Sequence, residues 1–272
     1  MANNDLLTAA ELESLRLDPA ILKHIEASRE RLGLSKSEFR ILDWGCGRGK
    51  MVLWLRQQGY SAFGVDIDPR SFANGAGLFA ALGYDEKECL HALDESGRAP
   101  FSDSSFHFVV SWQTIEHVRH LDAVVQELRR VTSDRGGGFH VYPPHHRLVE
   151  GHLFMPFVHW LPKNKLRHAL MRLFVLCGLE PHWWPDERKS LREKIDIYYQ
   201  YSIAETFYRT TGEIETCFNA AGFTSEFVDV LSWKRSRRWV QACLFLDSSS
   251  RIVKHWYMNY GGDLGLATLL TK

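Results

Sequence analysis

The chain has 272 residues, of which 45% are hydrophobic, 12% aromatic and 24% charged, the balance of an ordinary globular protein. This composition excludes a disordered chain, a collagen-like repeat and a low-complexity array. The 33 Lys and Arg residues cancel the 33 Asp and Glu residues, so no net positive charge favours binding to nucleic acid or to an anionic membrane.

The five cysteines are odd in number, widely scattered and without a CxxC pair, which argues against a disulfide framework or a structural zinc site. The apolar stretch at residues 166–179 contains Arg and His and is shorter than the roughly 20 apolar residues of a membrane span. The N-terminal segment lacks the basic and apolar regions of a secretion signal. We therefore expect a cytoplasmic protein with no membrane span.

Residues 8–33 carry apolar side chains at helical spacing on either side of Pro19, which predicts two helices before the first strand. Residues 39–44 form an apolar run that ends in glycines, and helical spacing follows over residues 51–58. This order predicts a strand, a glycine-rich turn and a helix. The next predicted elements are strands at residues 61–65, 106–112 and 138–142 and a helix at residues 121–131. Strands that alternate with helices predict an α/β, Rossmann-like fold with a mostly parallel sheet and helices on both faces.

The alternation stops after Tyr142. Residues 143–201 are rich in aromatic residues, prolines and histidines, and seven of the 13 histidines lie between His140 and His182. The pattern resumes with a predicted helix at residues 203–221 and predicted strands at residues 226–232 and 239–246. The predicted parts are an N-terminal helical segment (1–38), a core (39–142), an aromatic and His-rich insertion after strand five (143–202), the end of the core (203–247) and a tail without a predicted element (248–272).

The most informative segment is ILDWGCGRGK, residues 41–50. Its three glycines remove every second side chain from a strand-to-helix turn, so the backbone can adopt positive φ and approach a ligand closely. A dinucleotide fingerprint would need a small residue where Lys50 stands. A phosphate loop would need glycine and a hydroxyl where the chain has Trp44 and Met51. What remains is a DxGxGxG pattern that begins at Asp43, with Asp66 closing the next strand.

This pattern resembles motif I of the class I S-adenosylmethionine-dependent methyltransferases, and the downstream segments follow in the same order. Residues 64–69 are similar to the second motif, residues 100–118 to the fourth strand with its Glu-His-Val ending, and residues 129–144 to the glycine-rich approach to strand five. A weak similarity returns at residues 220–223. The chain departs from the family at His107, where the family often has Asp, and we expect this change to affect local packing. The resemblance implies a methyltransferase whose cofactor is S-adenosylmethionine.

The resemblance also implies how the cofactor is held in the core. Asp66 would accept both ribose hydroxyls, Ile67 would pack on the adenine, and either Asp94 or Glu95 would lie near the adenine amino group. Asp43 would help to hold the amino-acid end. The expected cofactor-binding residues are Asp43, Gly45, Cys46, Gly47, Gly49, Asp66, Ile67, Asp94, Glu95, Ser111, Trp112 and Gln113, the last three at the sulfonium pocket after strand four.

The insertion follows strand five and therefore projects from the carboxyl edge of the sheet, where ligands of open α/β folds bind. We interpret it as a substrate lid. For a hydroxyl acceptor, a histidine with a pKa near neutrality could take the proton, with Glu150 as an orienting partner. The candidates, in order, are His146, His145 and His152. Glu116 and His117 are a second candidate pair, which in the family is commonly structural. Because no HExxH motif or Cys-His cluster accompanies the histidines, we predict no metal.

The segments YPPHHRLVEGH (142–152) and PFVHWLP (156–162) resemble a subset of bacterial methyltransferases associated with cell-surface glycan or natural-product pathways. This short similarity favours O-methylation of a sugar or a hydroxylated small metabolite. Two alternatives stay open. Residues 234–238 are a basic run between Trp233 and Trp239, which could contact RNA or another nucleic acid. The chain could also be a non-catalytic module that binds the cofactor. We expect a small-molecule or glycan acceptor and no stable nucleic-acid partner, and a homodimer is left open.

Overall fold

A computed structural model of the protein describes residues 6–15, 17–145, 147–181, 189–230 and 264–270. The strands are β1 Arg40–Trp44, β2 Ser61–Asp66, β3 Leu90–Ala92, β4 Phe106–Trp112, β5 Thr132–Tyr142, β6 Phe223–Asp229 and β7 Leu264–Leu270. The α-helices are α1 Ala9–Ser14, α2 Pro19–Leu32, α3 Lys50–Gln57, α4 Ala73–Ala81, α5 Glu86–Cys89, α6 Leu121–Val131, α7 Lys165–Leu176, α8 Leu191–Ala204 and α9 Thr211–Ala220.

The strands form one sheet in the order β3-β2-β1-β4-β5-β7-β6. Strands β1 to β5 pair in parallel, whereas β7 is antiparallel to both β5 and β6. Strand β1 lies between β2 and β4. The strands that follow β1 therefore extend the sheet first to one side of β1, with β2 and β3, and then to its other side, with β4 and β5. The carboxyl ends of β1 and β4 therefore border a topological switch point, where open α/β sheets bind ligands. The predicted α/β, Rossmann-like fold is confirmed.

Local signals explain why several elements form where the sequence predicts them. Helix α2 begins with Pro19 after Asp18, whose carboxylate accepts a hydrogen bond from the Ala20 N–H at 2.8 Å. It ends at Leu32 and is capped by Gly33, which adopts the left-handed conformation at φ 69°. The observed bounds of β4 and α6 are those predicted. His107 packs on Phe39 at a ring distance of 5.6 Å, so the residue that departs from the family pattern has a structural contact.

Two apolar clusters cover the two faces of the sheet. One joins buried residues of α1, α2, α3 and α4 to inward side chains of the strands, and the other joins those of α6 and α9 to the opposite face. The insertion has a third, separate cluster built from Leu153, Met155, Val158, Met171, Val175, Ile195, Tyr198 and Tyr201. Its two helices α7 and α8 therefore hold the insertion together with a core of its own. No helix in the described ranges is long and apolar enough to span a membrane.

Two predictions for the C-terminal third need correction. The predicted helix at residues 203–221 is interrupted, because α8 ends at Ala204 and α9 starts only at Thr211. Thr210 forms a capping box with Glu213, in which each side chain accepts a hydrogen bond from the other residue's N–H, and this box fixes the later start. Strand β7 comes from the segment that carried no predicted element. The predicted strand at 239–246 and the basic run at 234–238 lie outside the described residues.

Candidate active site

The glycine-rich turn between β1 and α3 adopts the conformation that its glycines allow. The φ angles of Gly45, Gly47 and Gly49 are 82°, 52° and 75°, all in the left-handed region. A Cβ at Gly45 would overlap the side chain of Thr114, which follows β4, so this glycine lets the two strand ends approach. A Cβ at Gly47 would meet nothing within 4 Å. The turn therefore leaves open space beside Gly47, where a ligand can approach the backbone.

The carboxylate of Asp66 lies at the end of β2, next to this turn. Its Oδ2 accepts a hydrogen bond from the Gly47 N–H at 2.8 Å, and its Oδ1 accepts one from the Asp68 N–H at 3.0 Å. Each carboxylate oxygen can accept a further bond, so the two contacts orient the group without exhausting it. The next side chain, Ile67, is 78% exposed. An oriented carboxylate beside an exposed apolar side chain fits a ribose diol and an adenine ring.

Asp43 lies in β1, the strand next to the one that ends in Asp66. Its side chain is buried, and burial together with the negative charge of Asp66 raises the pKa of Asp43 from 3.8 to about 8. Asp43 is therefore mostly protonated at neutral pH. A cation placed close to it would favour the ionised form and bind more tightly for that reason.

Several residues expected at the cofactor have side chains directed elsewhere. The thiol of Cys46 packs in the core, where a Cβ on Gly64 would meet its Sγ at 2.6 Å. The Asp94 carboxylate accepts the Ser96 N–H at 2.9 Å and so closes a local turn, while Glu95 is exposed. Ser111 Oγ lies 2.9 Å from the buried His140 ring. Cys46 and Ser111 can contact a ligand at this edge only through the backbone.

The residues at and after the end of β4 lie at the same edge of the sheet as the glycine turn. Trp112 is 38% exposed, and Gln113 adopts a φ of 54° while its N–H donates to the Val141 carbonyl at 2.8 Å. Thr114, which contacts the turn at Gly45, was not expected at the site. The signal that could have identified it is its position two residues after the end of β4, opposite the glycine turn.

Of the three histidines expected to act as proton acceptors, His146 lies outside the described residues. His145 follows β5 by three residues, and its backbone is fixed because its N–H donates to the Arg209 carbonyl at 3.1 Å and its carbonyl accepts from Trp160 Nε1 at 2.9 Å. It borders a cavity of about 480 Å³. The described residues that line this cavity are His145, His159, Trp160, Leu161, Pro162, Lys163, Arg167, Thr206, Phe207, Tyr208 and Arg209.

The ring of His152 is positioned by hydrogen bonds at its Nδ1 atom. Its Nδ1 lies 3.3 Å from Glu150 Oε1 and 3.0 Å from the Tyr208 hydroxyl, which itself donates to Glu150. Burial alone would raise the pKa of Glu150, but the hydrogen bonds from His152 and Tyr208 outweigh it and hold that pKa below its usual value. Tyr208 was missed because it comes 56 residues after His152 and no local pattern connects the two.

Glu116 and His117 lie in a short 3-10 helix, Ile115–His117, at the same edge of the sheet. Glu116 is buried, and His117 Nδ1 lies 2.6 Å from the Glu205 carbonyl. Burial lowers the pKa of His117 to about 4, which keeps its ring neutral at physiological pH. The His117 and His152 rings are 4.8 Å apart between centroids. The insertion thus brings His152 next to His117, which with Glu116 was predicted as a separate candidate pair.

A glycine turn with open space and an oriented carboxylate at the end of β2, both at the switch point of the sheet, suit a nucleoside better than a phosphate group. A family model described as a methyltransferase domain matches residues 19–226, more than half of the chain. The chain belongs to this family, and it is a class I S-adenosylmethionine-dependent methyltransferase. It is therefore an enzyme, and its cofactor is S-adenosylmethionine.

Curated relatives match only part of the chain. A sterol 4-C-methyltransferase of Caenorhabditis elegans is 33% identical over 113 residues, which are 42% of this chain and 33% of the relative. Norajmaline N-methyltransferase of Rauvolfia serpentina is 29% identical over 100 residues, which are 36% of this chain and 34% of the relative. The chain spans about a third of the length of these relatives.

Solved structures share the fold at low sequence identity. An S-adenosylmethionine-dependent methyltransferase from Mesorhizobium loti aligns over 95% of this chain and 99% of its own with a TM-score of 0.53 and 13% identity. Phosphoethanolamine N-methyltransferase 2 of Haemonchus contortus, in complex with S-adenosyl-L-methionine, covers 95% of this chain and 54% of its own with a TM-score of 0.51 and 16% identity. These similarities establish the fold and leave the acceptor to be inferred from the site.

Proposed function

We propose that the protein transfers a methyl group to an oxygen of a hydroxylated small molecule, a sugar or a similar metabolite. The observation that carries this proposal is the cavity beside His145. Its volume of about 480 Å³ suits a small ligand, and Trp160, Phe207 and Tyr208 contribute aromatic side chains to its walls. A sugar or another ring can stack on such walls while a histidine lies within the same cavity.

The charges around the cavity favour a hydroxyl acceptor over a protonated amine. Lys163, Arg167 and Arg209 line it, and no carboxylate is among the described lining residues. The lysine is fixed by bonds to backbone carbonyls, since its Nζ donates to those of Ile203 at 2.9 Å and Thr206 at 2.7 Å. Three fixed positive charges would repel an ammonium acceptor but would tolerate a neutral or anionic one.

The residues that hold the cofactor in this proposal are at the glycine turn, at the end of β2 and directly after it. The Gly45–Gly49 backbone and Asp43 receive the amino-acid end, Asp66 accepts the ribose hydroxyls, and Ile67 covers the adenine. When bound, the cofactor supplies the methyl group, so that the acceptor oxygen bonds to the methyl carbon as the carbon–sulfur bond breaks and sulfur keeps the electron pair.

His145 accepts the proton that the acceptor hydroxyl releases. Its backbone is tied on both sides, to Arg209 and to Trp160, and this positions the imidazole at the cavity wall. A positioned general base of this kind typically contributes about 10²- to 10⁴-fold to the rate. The cavity walls contribute by orienting the acceptor and by excluding water.

The test measures release of S-adenosylhomocysteine with hydroxylated sugars and phenols, with primary amines and with short RNA. We expect turnover with a hydroxyl acceptor, and a loss of about 10²- to 10⁴-fold in kcat for His145→Gln. The control is His168→Gln, a substitution in α7 whose ring pairs with Asp196 at 3.3 Å and does not line the cavity. Turnover with amines or RNA alone would contradict the acceptor class, and full activity of His145→Gln would contradict the role of His145.

Calorimetry with S-adenosylhomocysteine tests the cofactor site separately. We expect Asp66→Ala to weaken binding by about 10- to 100-fold, because two charge-assisted hydrogen bonds to the ribose are lost. Equal affinity of the wild type and this variant would show that the ribose is held elsewhere.

A further inference from the structure

Although the sequence motifs predicted no metal, we propose that Glu116, His117 and His152 bind a divalent transition-metal ion at the carboxyl edge of the sheet. One possible ligand atom of each residue lies within 4.8 Å of those of the other two. Two of the ligands come from the segment after β4, and the third comes from the insertion. The site therefore exists only when the insertion packs against the core.

The spacing is close to that of a metal centre. Nitrogen and oxygen ligands lie about 2.0–2.2 Å from a zinc-like ion, so two ligands on one ion are at most about 4.4 Å apart. Because the possible ligand atoms lie up to 4.8 Å apart, a bound ion would have to draw them closer by side-chain rotation. Glu116 is buried, and His117 and His152 are partly buried, so the bound ion would be shielded from most solvent.

Hydrogen bonds fix both imidazoles in the form that binds a metal. A backbone carbonyl only accepts, so His117 Nδ1 must donate to the Glu205 carbonyl, and the lone pair of the neutral ring is on Nε2. The Tyr208 hydroxyl already donates to Glu150, so His152 Nδ1 donates to both, and in the neutral ring the lone pair would also be on Nε2. Histidines that bind metals characteristically donate their other N–H to a carbonyl or a carboxylate in this way.

The ligand set indicates which ions fit. Two imidazoles with one carboxylate favour Mn²⁺, Fe²⁺, Co²⁺ or Zn²⁺ over Mg²⁺ and Ca²⁺, which prefer oxygen ligands alone. Three protein ligands leave at least one coordination position open. Tyr208 contacts His152 and also lines the 480 Å³ cavity, so the cluster adjoins the space assigned to the acceptor.

This position gives the ion a role that rests on the proposed function. An acceptor hydroxyl bound at the open coordination position would lose its proton more readily, because a metal ion lowers the pKa of a bound oxygen. The proton would still pass to His145. The acceptors that profit most would carry a second hydroxyl or a carbonyl oxygen next to the first, because both oxygens can bind one ion.

The test is a titration of the full-length protein with CoCl₂, without cofactor or acceptor, followed by calorimetry and by visible absorption. We expect saturable binding of one Co²⁺ with d–d bands, and at least a 100-fold weaker affinity for Glu116→Gln and for His152→Gln. Tyr208→Phe retains all three ligands and should weaken binding by about 10- to 100-fold, since it loses a hydrogen bond that orients His152. The control His168→Gln should bind like the wild type.

Binding of S-adenosylhomocysteine by each variant shows whether its core is folded. If Glu116→Gln or His152→Gln does not fold, the other of these two variants provides the comparison. Absence of Co²⁺ binding by the wild type at millimolar metal would overturn the proposal, as would equal affinity of both ligand variants and the wild type. Because the titration needs no methyl acceptor, a failure of the O-methylation proposal would not change its result.

Discussion

The substitution Asp43→Asn tests whether the carboxyl group of Asp43 is buried beside that of Asp66. The pKa of Asp43 is raised from 3.8 to about 8 in the folded protein. Between these values the folded chain keeps a proton that the unfolded chain has released. The stability that this proton provides is complete below about pH 4. It falls steadily as pH rises and is lost once the pH has passed about 8. The loss amounts to about 1.4 kcal/mol per pH unit.

Asparagine has a similar shape and does not titrate, so the variant lacks this loss. We expect its free energy of unfolding to rise relative to the wild type by about 3 kcal/mol between pH 5 and pH 7. At roughly 2–4 °C per kcal/mol for a chain of this size, the difference in Tm should grow by about 6–12 °C.

The assay is thermal unfolding of the ligand-free protein, followed by circular dichroism at half-unit steps from pH 5 to pH 9. Asp134→Asn, on the exposed part of β5, controls for the loss of one negative charge. The difference between Asp43→Asn and the wild type should widen up to about pH 8 and then level off. A difference that stays constant from pH 5 to pH 7 would refute the raised pKa and the burial that causes it.

Two further substitutions separate cofactor binding from stability. Gly47→Ala should weaken S-adenosylhomocysteine binding by about 10- to 100-fold, because its methyl group enters the open space beside the turn. Gly33→Ala is the matched control, since its φ of 69° is also left-handed and its Cβ would also meet nothing within 4 Å. Both variants should lose roughly 1–2 kcal/mol of stability. Equal affinities of the two variants for S-adenosylhomocysteine in calorimetry would contradict a ligand at Gly47. Ser111→Ala should cost about 1–3 kcal/mol because it leaves the buried His140 without its hydroxyl partner; affinity for S-adenosylhomocysteine should change less than about 2-fold, and a larger loss would place the Ser111 hydroxyl at the cofactor.

The central elements of the fold could be predicted because their signals are local. The apolar period of α6, the Asp18–Pro19 start of α2 and the glycines after β1 each act within a few residues. The order of motifs from the turn to the fifth strand identified the cofactor class for the same reason. Strand β7 had no such signal, since its place in the sheet depends on pairing with the distant strands β5 and β6.

The sequence by itself determined the α/β alternation, the glycine turn and the carboxylate at the end of β2, because backbone conformation and side-chain periodicity are set by near neighbours. Only the tertiary structure decided which way individual side chains point, so Cys46 faces the core and Ser111 faces His140. It also brought His152 of the insertion to Glu116 and His117. Such contacts depend on how two separately packed apolar cores meet, and no spacing along the chain encodes that distance.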